Sequence, residues 1–157
     1  MPDLQSMPSE REYGREKTFG NRIYKYIKNV DTVAKSYGHP VCHNFSNGYD
    51  YEVDQPATAR LEVFAGVVRH PDRPTDTTYS IAAGDYGWIQ IYGDAEIYTK
   101  GDVSAIAAGD SLKCVDSADY MEKDQGAGTE PTYKRKVFAM EANTAANALT
   151  DVFIQTK

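Results

Sequence analysis

The pentapeptide Ile81-Ala82-Ala83-Gly84-Asp85 returns 25 positions later as Ile106-Ala107-Ala108-Gly109-Asp110. A Gly-Asp pair favours a tight turn, because glycine takes positive φ at no steric cost and aspartate bonds nearby backbone. Each copy runs into a short apolar-alternating stretch, Tyr86-Gly87-Trp88-Ile89-Gln90-Ile91-Tyr92 and Ser111-Leu112-Lys113-Cys114-Val115. Period two is the signature of a strand with one face buried. Strand, turn, strand therefore occurs twice. Further Gly-Asp pairs at Gly93-Asp94 and Gly101-Asp102 divide 86–106 into three predicted strands, 86–92, 95–99 and 103–106. Turns at roughly ten-residue spacing point to a sandwich or barrel rather than a parallel sheet.

The rest of the chain fits that class. Strands are predicted at 22–29, 38–45, 49–54, 60–68, 136–140 and 150–154. Pro40 belongs at a strand start or edge, Asn47-Gly48 is a hairpin signal, and Gly66 marks a bulge or a close backbone approach. Residues 70–76 and 116–132 read as loops, and 143–148 as one helical turn or a wide connection. No long amphipathic helix is evident. Residues 1–20 carry two prolines, scattered glycine and the mixed-charge run 10–17, with no usable period. They read as an extended N-terminal arm, disordered alone, with a reach on the order of 60 Å. Residues 21–157 read as a single domain, and a chain of this length buries enough surface for its own core.

Composition narrows the function. The net charge of −6 disfavours nucleic acid, which calls for clustered Lys and Arg, and Lys134-Arg135-Lys136 is short. No run approaches the ~20 apolar residues of a membrane helix, and the N-terminus has no signal-peptide pattern. The expected place of synthesis is the cytoplasm. Twelve tyrosines against five phenylalanines fit either a Tyr-rich sheet face or a surface half covered by a partner.

Chemistry-bearing residues resolve into structural readings. His39, Cys42 and His43 are close in sequence, but Cys42 and His43 point to opposite faces of a strand. Asp50, Glu52 and Asp54 share a face that suits calcium or, more simply, solvent, with Tyr49, Tyr51 and Val53 facing inward. Asp85 and Asp110 are turn residues rather than paired acids. Trp88 belongs to a core or an interface before it belongs to a sugar site. Cys42 and Cys114 are small strand residues, with a bridge between them left open. No catalytic, cofactor-binding or metal-ligating residue is assigned, and the chain is not read as an enzyme.

Four stretches carry a resemblance. They are Tyr26-Ile27-Lys28-Asn29 with Gly38-His39-Pro40-Val41; Phe64-Ala65-Gly66-Val67-Val68; residues 81–93 running on to Ala108-Gly109-Asp110-Ser111-Leu112; and Val137-Phe138-Ala139-Met140-Glu141-Ala142 with Val152-Phe153-Ile154. In this order, residues from about 20 to 157 resemble the capsid decoration (cement) proteins of tailed bacteriophages. The resemblance implies a small β-barrel or β-tulip on the outer surface of an assembled virion capsid. It implies major capsid protein as partner and self-association as a homotrimer, with a dimer as the second option. It brings no catalytic residue and no cofactor. The alternatives are a tail- or fibre-associated or minor head structural protein, and a carbohydrate-binding β module.

Overall fold

The structure, a computed structural model, describes residues 14–57, 63–124 and 136–156. Expectations for most of the arm, for Arg60-Leu61-Glu62, for Gly126-Ala127-Gly128 and for Lys134-Arg135 lie outside the described residues. The strands are β1 (Glu16–Phe19), β2 (Arg22–Asn29), β3 (Lys35–Ser36), β4 (Pro40–His43), β5 (Glu52–Asp54) and β6 (Phe64–Val68). They continue as β7 (Ser80–Ile81), β8 (Tyr86–Thr99), β9 (Leu112–Cys114), β10 (Met121–Lys123), β11 (Val137–Ala139) and β12 (Ala148–Gln155). No helix occurs among the described residues. The chain is all-β, as its turns and alternation predict.

Five strands close on themselves in the order β2-β5-β4-β6-β8, with β8 pairing back to β2. This is a small closed barrel, and closure removes the edges that an open sheet must protect. Its interior holds Ile27, Val41, Val53, Ala65, Val68, Ile81, Ile89 and Ile91. A second apolar cluster joins Phe64 and Val67 to Ala95, Ile97, Leu112, Met121, Val137, Val152 and Ile154. Strand β6 feeds both clusters, which explains its unbroken apolar run. Its sides exchange across Gly66, opposite a register shift between Val41 and Cys42. A Cβ on Gly66 would sit 2.4 Å from the Gln90 carbonyl oxygen, so the expected close approach is present.

Strand β8 corrects the sequence reading. Gly93-Asp94 is not a turn: β8 runs unbroken for 14 residues. Gly93 takes φ +97°, and a Cβ there would lie 2.6 Å from the Asn21 carbonyl oxygen. Asp94 accepts two hydrogen bonds from Arg22, at 2.5 and 3.2 Å. The pair is thus a kink that seats the start of β2. Along β8, β2 pairs over residues 86–92 and β12 over residues 92–99.

The two pentapeptides are equivalent turns. Asp85 N–H donates to the Ala82 carbonyl and Asp110 N–H to the Ala107 carbonyl, both at 3.1 Å. Gly84 and Gly109 take φ +74° and +93°, as the third position of a type II turn requires. Each turn also grips one strand end through two bonds. Gly84 N–H donates to Asn29 O and Asn29 N–H to Asp85 O, while Gly109 N–H donates to Ala139 O and Ala139 N–H to Asp110 O. Ile81 fills the barrel cluster, and Ile106 fills the second.

Other expectations change. Glu16–Phe19, placed in the arm, pairs antiparallel with β2 as the outer strand of a hairpin. The predicted strand 103–106 is a loop in which Val103 is 77% exposed and Ile106 makes one isolated bridge, to Asn143. A Cβ on Gly101 would lie 2.1 Å from the Asn143 carbonyl oxygen, and Gly101 N–H donates to the Ala145 carbonyl at 2.8 Å. Asn143 opens a wide connection into β12 rather than a helical turn. Within the predicted 116–132 loop, residues 121–123 form β10, with Met121 fully buried in the core.

Candidate interaction surface

The acidic face read on Asp50, Glu52 and Asp54 is solvated only at Asp50, whose side chain is 74% exposed. Glu52 and Asp54 are buried, because β2 and β4 flank β5 and the β4–β5 loop folds over its polar side. Asn47 donates its amide to the Glu52 carboxylate and Asn44 to that of Asp54, both at 2.9 Å. Tyr49, expected inside, is 49% exposed and stacks on Tyr51 with centroids 5.0 Å apart. Among the described residues no group of three or more His, Cys, Asp or Glu is placed to hold a metal ion.

Two surfaces instead offer contact. The first is an aromatic band along β1, β2 and β8. Tyr26 and Trp88 are register partners with ring centroids 5.0 Å apart, and Tyr86 stacks beyond Tyr26 at 6.3 Å. Cations lie over these rings: Lys17 Nζ is 4.7 Å from the Phe19 centroid and 6.0 Å from that of Trp88, and Lys28 Nζ is 5.6 Å from Tyr86. Trp88 and residues 15–17 bound a cavity of about 240 Å³. Trp88 is therefore part of a half-buried aromatic layer.

The second surface is the mouth of the barrel. A cavity of about 330 Å³ there is bounded by Glu16, Lys25, His43, Phe45, Val63 and Lys136. His43 stacks on Phe45, which is 51% exposed, at 5.3 Å. Lys25 is held beside it, donating to the Asp50 carbonyl and carboxylate at 3.1 Å each. Burial, then the charge of Lys25, pushes His43 down to about 4, so the imidazole is neutral at physiological pH. Its Nδ1 is buried without a hydrogen-bond partner among the described residues.

A polar layer fixes these surfaces from behind. Arg69 is 5% exposed and donates to Pro74 O at 2.7 Å, to the Gln90 side-chain oxygen at 3.0 Å and to Asp94 O at 3.1 Å. Tyr37 donates its hydroxyl to Glu96 at 2.7 Å; burial and then this bond push it up to about 12. The Arg22 hydrogen bond holds the Asp94 carboxyl below its ordinary range. Together these bonds pin the 70–79 loop to β8. On another side, Lys35, only 1% exposed, meets Asp31 at 2.8 Å and Asp119 at 4.0 Å. Burial raises Asp31, but Lys35 and the N–H groups of Gln55 and Thr32 outweigh it, leaving the carboxyl below its usual range.

Sequence reasoning missed both networks. Only one signal was present: Gln90 and Arg69 are polar residues set directly against apolar runs. His39 faces Asp119 at 3.6 Å and is not brought to the mouth where His43 lies.

The fold defines an all-β protein with a small closed barrel that presents aromatic, cationic and apolar side chains at its surface. No family model matches the chain. No curated protein matches it. A solved structure similar to it is the head fiber gp8.5 N base of bacteriophage phi29. That likeness has 14% identity and a TM-score of 0.48, and covers 85% of this chain and 94% of that one. At that level it carries no argument about role.

Proposed function

We propose that this chain is a non-enzymatic structural protein of a tailed-phage head. It binds the outer surface of the assembled capsid and stabilises it by bridging major capsid protein subunits. One observation supports this reading. The stretch that best carries the decoration-protein resemblance, residues 81–93 with 108–112, forms the two twin turns and the first half of the strand that closes the barrel. The fold that the resemblance implies is the fold present. Strand β1 lies outside the resembling stretches and is exposed along its length.

The physical logic follows from area and rigidity. A standard interface buries about 800 Å² per partner. Rigid aromatic side chains supply such area at low conformational cost, and Phe19, Phe45 and Tyr49 stand exposed at 38%, 51% and 49%. A protein that spans two subunits forces both contacts to break before the shell opens.

The test is addition of purified protein to expanded, undecorated shells of the encoding phage, followed by sedimentation and heat challenge. Co-sedimentation at hundreds of copies per particle with greater heat resistance is expected. Folded protein that leaves the shells bare sinks the proposal, and binding at a few copies per particle favours the tail- or minor-head alternative.

A further inference from the structure

We infer that Cys42 and Cys114 are a cross-linking site: an encoded dithiol that closes into a disulfide when the protein meets an oxidising medium. The two sulfurs lie 3.8 Å apart, in contact, across 72 positions of sequence. Both side chains are buried, and they are not bonded as a disulfide. They come from different parts of the fold, Cys42 from barrel strand β4 and Cys114 from β9, and meet in the second apolar cluster.

The position is where a bond has most to hold. Strands β9 and β10 form a hairpin with three register pairs. That hairpin meets the remaining sheet through one parallel pair, Met121 with Thr99, and one isolated bridge, Ser111 with Phe138. Its ladder to the sheet is short, and Leu112, Cys114 and Met121 hold it by packing in the second cluster. Local opening of the hairpin gives an oxidant access to thiols that are otherwise covered. Once formed, the bond ties the hairpin to the barrel wall. Bond formation contracts the 3.8 Å between the sulfurs to the ~2.05 Å of a disulfide.

The oxidant is a small external disulfide of the glutathione class. One cysteine thiolate attacks it, forming a mixed disulfide and releasing one small thiol. The second cysteine thiolate attacks the protein sulfur of that mixed disulfide, forming the Cys42–Cys114 bond and releasing the second small thiol. Two electrons and two protons pass to the external disulfide, and the protein loses two hydrogen atoms. A chain made in a reducing compartment would thus fold first and be stapled later. The inference stands whether or not the capsid reading holds.

The experiment incubates the folded, reduced full chain with oxidised glutathione and compares it with a sample kept in dithiothreitol. Mass spectrometry should show the loss of two hydrogens, and non-reducing proteolysis should give a linked peptide pair containing Cys42 and Cys114. The melting temperature should rise by about 5–10 °C, because a closed loop of this length constrains the unfolded chain. Cys42→Ala and Cys114→Ala should show neither change. The idea is overturned if both thiols still titrate after prolonged oxidation and subsequent unfolding. It is also overturned if the only products are glutathione adducts or bonds between two chains. Because the peptide map is read on the unaltered protein, a variant that fails to fold leaves the outcome decidable.

Discussion

Alanine in place of Gly84, of Gly109, and of both measures what the twin turns contribute. An added Cβ at either glycine meets nothing within 4 Å, so no steric contact enters the sum. What remains is the backbone, held at φ +74° in one turn and +93° in the other. Keeping an L-residue in the left-handed region costs about 1–2 kcal/mol. The stiffer unfolded chain returns about 0.4–1 kcal/mol of that. The net loss is about 1 kcal/mol for each replacement. The turns grip different strand ends, at Asn29 and Ala139, and their isoleucines fill different clusters. The losses should therefore add, to about 2 kcal/mol in the double variant. Urea unfolding at constant m-value reads these differences directly. In melting temperature each single change should lower the midpoint by roughly 2–4 °C, and the double change by twice that. Gly84→Asn should recover part of the loss, because asparagine tolerates the left-handed region. The reasoning fails if either single variant is silent, or if the double variant is no worse than the weaker single one.

Gly66→Ala should be far more damaging than either turn variant, by more than about 3 kcal/mol, since its Cβ would press on the backbone of β8 at 2.4 Å; chemical denaturation compares them. Lys35→Ala should lose about 2–3 kcal/mol by leaving Asp31 without its buried cation, and Lys35→Met less, because it refills the volume; thermal unfolding at neutral pH separates the two. His43 binds its proton less readily folded than unfolded, so its contribution is complete above about pH 6.5 and falls away as the pH drops through about 4. His43→Gln should flatten the stability profile across that window, by up to about 3 kcal/mol at its acid end. Phe45→Ser and Tyr49→Ser should shift the melting temperature little, given their exposure, yet weaken shell binding at least tenfold if the barrel mouth faces the capsid; a binding isotherm on undecorated shells decides it.

The class of the fold was legible because alternation and turn chemistry are local. The twin Gly-Asp turns, the Pro40 strand start and the close approach at Gly66 all follow from what one residue allows its own backbone to do. Gly93-Asp94 shows where that logic stops. It carries the same letters as the turns, and its positive φ is real, but the residue opposite it is Asn21, far away in sequence. A glycine that makes room for another strand and a glycine that reverses the chain look alike until the pairing is known. The acids of β5 failed for a related reason. Alternation assigns faces, but whether the polar face meets water depends on the loop that folds over it, and Asn44 and Asn47 fold over this one. The contact surfaces were foreshadowed only by the excess of tyrosine. Their cationic partners, Lys17 and Lys28, come to the rings through the β1–β2 hairpin, and nothing in the sequence around 16–19 announced that strand.

One further consequence belongs to the long strand β8. Its residues 89 and 91 line the barrel and its residues 95 and 97 line the second cluster, on one continuous ribbon of backbone. Among the described residues the two clusters therefore share one uninterrupted strand. A tug on the barrel end passes through covalent bonds to the far sheet, not through a hinge or a linker. Load applied to the barrel end of β8 therefore reaches the second cluster along one strand.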